Sequence, residues 1–154
     1  MRRVSARERA FLRSFFADSL DVDRIWIGSS LGQRSWSPFG ARISLTRDLF
    51  AGAEVALDDA RAASIFAHEA LHVWQRQHGR AVTREGAWLQ AGYALGRDPY
   101  AYDRAVHDAG DLLAMFVLGN IERQGRMMQD YVYAACSGGD TARFRKIATW
   151  VQGR

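Results

Sequence analysis

Apolar and polar residues in the first third of the chain follow a helical spacing and then a strand-like spacing. Ser5, followed three residues later by Glu8, has the spacing of a capping box, which predicts a helix from there to about Ser19. Residues 23–28 contain β-branched and aromatic side chains, and residues 41–46 alternate apolar with polar side chains. Both are predicted strands, separated by a loop that contains glycine and proline. A small N-terminal sheet beside one helix is therefore expected.

The remainder of the chain has helical periodicity. A long helix is predicted from the N-cap Asp58 to Gly79, with enough apolar surface to lie at the centre of the fold. Three further helices are predicted: over 85–95, from Asp108 or Asp111 to about Ala135, and from Asp140 or Thr141 onward. The predicted class is α+β, with the small sheet packed on the central helix and further helices afterwards, in one domain spanning 1–154.

Composition supports a folded domain and excludes some classes of site. At 154 residues and 48% hydrophobic, the chain can bury an adequate core. The single cysteine, Cys136, excludes an internal disulfide and a cysteine-rich zinc site. No apolar run reaches the length of a membrane span, and the N-terminus lacks the apolar segment of a signal peptide. These features predict a cytoplasmic protein, or one exported by a route that needs no signal.

The positive charge is confined to one end of the sequence. The first thirteen residues hold five arginines and one glutamate, so they account for the whole net charge of +4. Lys146 is the only lysine, and no basic stretch is interleaved with aromatic residues that would read a nucleic acid. The sequence therefore predicts neither a nucleic-acid partner nor a membrane partner.

The segment His68-Glu69-Ala70-Leu71-His72 carries the most specific chemistry. Histidines four residues apart are separated by about 40° around a helix, so both rings face the same way. A tetrahedral zinc ion requires this arrangement from two imidazoles. Glu69, beside the first histidine, is placed to take a proton from a water that the metal activates. The motif therefore predicts a Zn²⁺ site that has its own general base.

The residues alone do not identify the third protein ligand of the metal. His78 follows His72 at the spacing of a longer zinc motif, but Gln75 replaces the turning glycine, so a continuing helix would carry His78 about 240° around its axis. Glu122 on a later helix would complete a set of two histidines and one glutamate, although from position alone it reads as a solvent-facing residue. Arg126 stands where many proteins of this type have a supporting aspartate.

Three other side chains are candidates for the site. His107 is an alternative third ligand, or a group that orients a substrate, or an ordinary surface residue. Tyr100 and Tyr102 are candidate hydrogen-bond donors to a developing oxyanion, with packing as the alternative role of each.

Several segments between Ser5 and about Tyr131 resemble those of a known family: Phe15–Asp21, Trp36–Phe39, Ala67–Gln75, Tyr100–Tyr102 and Ile121–Gln124. The family consists of short bacterial metallopeptidases described as Vgr-related, after the Rhs-element and type VI secretion proteins. Its members carry a later motif similar to Ile-Glu-x-Gln-Ala, in which Gly125 replaces the usual alanine here.

This resemblance implies a zincin-like fold in which His68, His72 and Glu122 bind Zn²⁺. It also implies a peptide or protein substrate and partners among secretion-apparatus proteins.

Three hypotheses follow for the function. The first is a zinc-dependent hydrolase, specifically a metallopeptidase with Glu69 as general base, in which the strand around 43–45 pairs with extended substrate. The second is a catalytically inactive zinc-binding or secretion-associated interaction module of the same fold. The third is a metal-free helical interaction domain.

Overall fold

The chain forms two small sheets and six α-helices across the residues that the computed structural model describes, 1–30 and 32–154. The strands are β1 (Arg2–Arg3), β2 (Trp26–Ser29), β3 (Arg42–Leu45), β4 (Phe50–Ala51) and β5 (Glu54–Val55). The helices are α1 (Ala6–Phe16), α2 (Ala60–Gln77), α3 (Val82–Ala94), α4 (Ala109–Val117), α5 (Ile121–Ser137) and α6 (Arg145–Gln152). The predicted α+β class is confirmed.

The larger sheet lies against α2 and has the order β1-β2-β3. β1 runs antiparallel to β2, and β2 runs parallel to β3. Ile27, Ile43 and Leu45 are fully buried, so one face of the sheet contributes directly to the hydrophobic core. The strand predicted over 23–28 begins only at Trp26, because residues 22–24 form a 3₁₀ turn.

The outer edge of β3 is occupied by the preceding loop. Backbone groups of alternate residues in a strand face opposite edges, so Ser44 points away from β2. Its N–H and C=O both hydrogen-bond to Trp36, at 2.9 and 2.8 Å, and the N–H of Thr46 donates to Ser35 Oγ. The expectation that residues 43–45 pair with substrate is therefore wrong. The loop that contains Trp36 covers that edge.

Helix α2 runs through the most buried part of the fold. Asp59, one residue later than predicted, caps it by accepting a hydrogen bond from the Arg61 N–H, and every residue from 66 to 75 is buried. The helix ends at Gln77, and Gly79 follows in the left-handed region at φ 82°, as a helix-terminating glycine requires. The helical metal motif is therefore enclosed by α5, β3 and other elements that pack on α2.

The long helix predicted from Asp108 or Asp111 to Ala135 is two helices. Asp108 caps α4, but the chain turns at Gly119, and the side chain of Asn120 accepts the Arg123 N–H to begin α5. The single-helix prediction was wrong because apolar residues at helical spacing continue across the break. The turn places Glu122 in the first turn of α5.

None of the helices among the described residues combines the length and hydropathy that a membrane span requires.

Glu8 ties the N-terminus to the rest of the fold. The predicted capping box is present, with Glu8 N–H donating to Ser5 Oγ and Ser5 N–H donating to the Glu8 carboxylate. That carboxylate is fully buried and also accepts hydrogen bonds from the Arg2 guanidinium, both at 2.7 Å, and from the Val55 N–H at 2.8 Å. The Glu8 carboxylate therefore links β1, α1 and β5 through hydrogen bonds that compensate for its burial.

We expect Glu8→Gln to lower the free energy of unfolding at pH 7 by about 2–3 kcal/mol, because it breaks this buried network. Burial alone would raise the pKa of Glu8, but hydrogen bonds from Arg2, Ser5 and Val55 outweigh it and hold the pKa below its usual value. The pKa of a glutamate in the unfolded chain is about 4.3. Because the pKa of Glu8 is lower in the folded protein, the Glu8 charge contributes its full stabilisation above the unfolded pKa, and this stabilisation is lost as the pH falls through the folded pKa.

Urea unfolding of both proteins at pH 7 and at pH 3 measures this effect. The gap between wild type and Glu8→Gln should be smaller at pH 3. Asp58→Asn, which alters an exposed ion pair with Arg7, is the control and should change stability little at either pH. An equal gap at both pH values would contradict the assignment to the Glu8 charge.

Candidate metal centre

Three side chains from two helices converge in one buried cluster. His68 and His72 on α2 direct their Nε2 atoms toward Oε2 of Glu122 on α5, at 3.4 and 3.5 Å. The candidate ligand atoms of the three residues all lie within 4.8 Å of one another. Two ligands of a tetrahedral zinc ion at ordinary bond lengths lie about 3.3–3.4 Å apart. The two His–Glu distances are close to this spacing, so the cluster could hold a metal ion.

The Nδ1 atoms of both histidines face amide oxygens. His68 Nδ1 lies 3.2 Å from Gln129 Oε1, and His72 Nδ1 lies 2.9 Å from Gln75 Oε1. Because an amide oxygen only accepts, a ring nitrogen that contacts one must donate, so this arrangement corresponds to the tautomer with hydrogen on Nδ1. The Nε2 lone pairs are then available to a metal ion, which is the tautomer that a ligating imidazole needs.

The cluster electrostatically favours a cation. Burial disfavours the charged ring, yet the Glu122 and Glu69 carboxylates raise the pKa of His72 above its usual value. Burial would also raise the pKa of Glu122, but hydrogen bonds from His68 and His72 hold it far below its usual range. Protons and a metal ion would therefore compete for the same Nε2 positions.

Glu69 lies beside the cluster and has an unpartnered oxygen. Its Oε2 is buried and has no hydrogen-bond partner among the described residues. Burial raises the pKa of this carboxyl above its usual value, against the opposing charges of His68 and His72. A carboxylate with a free oxygen and a raised pKa is suited to accept a proton at neutral pH.

The cluster lies where two cavities meet, and His68 and Glu69 line both. The larger cavity, about 1020 Å³, also reaches His72 and Glu122. Its wall includes a group of apolar residues: Trp36, Pro38, Val82, Ala87 and Ile121. The smaller cavity, about 270 Å³, shares Gln33, Arg34 and Gln90 with the larger one and is also lined by Arg61, Ile65 and Gln129. The apolar group therefore lines only the larger cavity, whereas Arg61 and Gln129 line only the smaller one.

The other candidate residues have separate positions. Tyr100 lines both cavities, with its ring centre 6.3 Å from that of His68, whereas the Tyr102 hydroxyl donates to Asp130 at 2.6 Å. His78 ends α2 and donates from Nδ1 to the Trp74 carbonyl at 2.8 Å, outside the cluster. His107 is exposed and also lies outside it. Among the described residues, the structure brings only His68, His72 and Glu122 together as candidate ligands.

Arg126 does not provide the support that an aspartate at its position would give. It pairs with Asp130 at 3.4 Å. The Nδ1 atoms of His72 and His68 instead contact Gln75 and Gln129, neither of which was predicted from the sequence as a site residue. Gln75 is the last residue of a segment that carries the family resemblance. In the sequence it was considered only as the residue that replaces the glycine of the longer zinc motif.

Gly125 permits the close approach of α5 to His68. A Cβ at this position would lie 2.7 Å from both Cε1 and Nε2 of the His68 ring, closer than real Cβ atoms come. The usual alanine of the similar family would therefore require the His68 ring to shift in this arrangement, so Gly125 permits the position that the ring has here.

We expect Gly125→Ala to weaken zinc binding about 10–100-fold, the usual effect of disturbing the orientation of a ligating histidine. Gly86→Ala on α3 is the matched control, since a Cβ there makes an ordinary 3.6 Å contact with Ile121. Zinc affinity is measured by competition with a chelator. Equal affinity of Gly125→Ala and Gly86→Ala would contradict the steric role of Gly125.

Comparison with known proteins identifies relatives of the chain. No family model matches it. It is 32% identical over 139 residues to the type VI secretion system spike protein VgrG2b of Pseudomonas aeruginosa, which covers 84% of this chain. The chain spans only 13% of the length of that protein.

A solved structure shares the fold. The effector domain of Pseudomonas aeruginosa VgrG2b matches 96% of this chain and 82% of its own length, with a TM-score of 0.73 and 28% identity. The predicted likeness to Vgr-related type VI secretion proteins is confirmed. The chain is thus similar, in sequence and in fold, to the effector domain of a type VI secretion spike protein.

Proposed function

We propose that the chain is a zinc-dependent hydrolase, specifically a metallopeptidase of the effector type. The proposal rests on one observation. Two imidazole nitrogens and a carboxylate oxygen meet at 3.4–3.5 Å beside the unpartnered oxygen of the buried Glu69. A hydrolytic zinc site consists of such a ligand set with one open position and an adjacent base.

His68, His72 and Glu122 would hold the metal, and the Nδ1 contacts of both histidines fit that role. Zinc, when bound, supplies a Lewis acid that lowers the pKa of water and polarises a carbonyl. Glu69 accepts a proton from the attacking water at Oε2 and then delivers it to the leaving nitrogen. Tyr100, whose pKa burial raises, stays protonated and lines the cleft as a hydrogen-bond donor.

The shape of the cleft favours an extended chain as substrate. It continues on both sides of Glu69, with an apolar wall that includes Trp36 on one side and the polar side chains of Arg61 and Gln129 on the other. The loop that contains Trp36 runs along the cleft beside β3. A peptide crossing the cluster would contact both walls.

Similarity to the VgrG2b effector domain supports a role in type VI secretion. We infer partners among secretion-apparatus proteins and export by a route that needs no signal peptide. The same similarity favours a second candidate, a secretion-associated module of this fold that holds zinc without turnover. The two candidates share the metal site and differ in whether Glu69 acts as a base.

The test combines metal analysis with an unbiased cleavage assay. Zinc per chain is measured by mass spectrometry, and zinc-loaded and chelator-stripped proteins are each incubated with a peptide library. About one zinc per chain, with new peptide termini only in the zinc-loaded sample, is the expected result. Zinc without cleavage would favour the inactive module, and no zinc after reconstitution would overturn both candidates.

A further inference from the structure

A chain of buried amide groups extends from His72 away from the cleft. Gln75 Oε1 lies 2.9 Å from His72 Nδ1, and Gln75 Nε2 donates to Gln124 Oε1 at 2.8 Å and to the Ile121 carbonyl at 3.3 Å. Gln75 and Gln124 are 1% and 3% exposed, so water does not replace these contacts. Gln75 lies on α2 with His72, and Gln124 lies on α5 with Glu122.

The hydrogen-bonding partners fix the direction of this chain. Gln124 Nε2 donates to the Phe116 carbonyl at 2.8 Å, so Gln124 Oε1 must be the accepting end. That oxygen accepts hydrogen bonds from Gln75 Nε2 and from Arg80 Nη1, the latter at 2.9 Å. Rotating either side-chain amide by 180° would place two donors or two acceptors in contact, and a buried polar group left without a hydrogen bond is costly. Gln75 therefore presents its oxygen, and only its oxygen, to His72.

Arg80 anchors the far end of the network to the start of α5. Its guanidinium donates to Glu85 at 2.9 and 3.0 Å and to the Gly119 carbonyl at 3.0 Å. Glu85 in turn accepts the N–H of Ile121, the first residue of α5, at 3.0 Å. The network that orients His72 thus also holds the turn that carries Glu122 into the cluster.

We propose that Gln75 and Gln124 are positioning residues that act as one hydrogen-bonded pair, here called the glutamine relay. They hold His72 with its Nδ1 protonated and its Nε2 directed at the metal position, and they couple that ring to the N-terminus of α5. This inference rests on the proposed metal site. It does not depend on whether the site hydrolyses peptides.

The partner of His68 provides an internal contrast. Gln129 is only half-buried, lies 3.2 Å from His68 Nδ1 and lines the smaller cavity. Its amide has no second protein partner among the described residues, so nothing comparable fixes its direction. Loss of Gln129 should therefore affect metal binding less than loss of Gln75.

The experiment compares Gln75→Leu, Gln124→Leu and the double variant in the full chain, with zinc alone as the probe. Zinc affinity is measured by chelator competition. Gln75→Leu should weaken zinc binding about 10–100-fold, the usual effect of removing the partner of a ligating histidine. Because the two glutamines act in series, the double variant should bind zinc no more weakly than Gln75→Leu.

A second readout separates positioning from general stability. In zinc-loaded wild type, the Nδ1 proton of His72 should exchange slowly with water by NMR, and this protection should be lost in Gln75→Leu. Gln77→Leu is the matched control on the same helix, because among the described residues the Gln77 amide bonds only to the backbone of Asp21. Val151→Ala, in the core on α6, is a control for destabilisation alone.

Several outcomes would overturn the relay. The first is zinc affinity in Gln75→Leu equal to that of wild type. The second is a loss of zinc affinity in the double variant equal to the sum of the two single losses. The third is a loss of zinc affinity in Val151→Ala as large as that in Gln75→Leu at matched stability. Wild type that binds no zinc would overturn the relay together with the metal site. A chain that binds zinc in the expected pattern but cleaves no peptide would support the relay and overturn only the peptidase proposal.

Discussion

Glu69→Gln is expected to abolish hydrolysis while leaving zinc bound. Glutamine has the size of glutamate but cannot accept a proton, and loss of a general base lowers rates about 10²–10⁴-fold. The metal should remain because the clustered ligand atoms belong to His68, His72 and Glu122. Glu69 Oε2 has no hydrogen-bond partner among the described residues, so the substitution breaks no hydrogen bond between them at that oxygen.

The measurement pairs zinc content with cleavage rate in wild type and in Glu69→Gln. Glu54→Gln on β5 is the control, because it makes the same chemical change outside the residues that line either cavity around the cluster. Its rate and zinc content should match those of wild type. Full activity in Glu69→Gln would refute the assigned base. Zinc binding without activity in wild type would instead favour the secretion-associated module.

Local sequence signals predicted most helices because their determinants lie within a few residues. The capping box of Ser5 and Glu8, the N-cap Asp108 and the terminating Gly79 act over a single turn. The break between α4 and α5 was missed because apolar periodicity continued through it. There the Asn120 cap outweighed the periodic pattern.

The site was only partly predictable from the sequence. Helical geometry alone places His68 and His72 on one face, because residues four apart share it. Glu122 comes from another helix, and only resemblance to known proteins singled it out. The roles of Gln75 and Gly125 depend on how closely α2 and α5 approach, and no local pattern specifies that distance.

The error over β3 has a similar cause. Its alternating pattern correctly predicted a strand, with Ile43 and Leu45 buried. Alternation does not say whether the other edge is free, and the loop containing Trp36 occupies it through contacts that depend on tertiary structure. Backbone pairing with a substrate therefore cannot be assigned to β3.

Glu122→Ala is expected to remove most of the bound zinc. Zinc sites with four protein ligands bind with about 10–16 kcal/mol, so one ligand contributes about 3 kcal/mol, on the order of 10²-fold in affinity. The residual affinity should also depend differently on pH. Glu122 raises the pKa of His72, so its loss lowers that pKa, and protons then begin to compete with zinc only at lower pH.

Zinc per chain by mass spectrometry and affinity between pH 6 and pH 8 test both parts of this prediction. His78→Ala and His107→Ala are the controls, because these two histidines were the alternative third ligands and lie outside the cluster. Both controls should bind zinc as wild type does. Zinc retained by Glu122→Ala but lost from either control would move the third ligand away from α5. That result would require a rearrangement of the end of α2 or of the segment before α4, since neither brings a histidine to the cluster here.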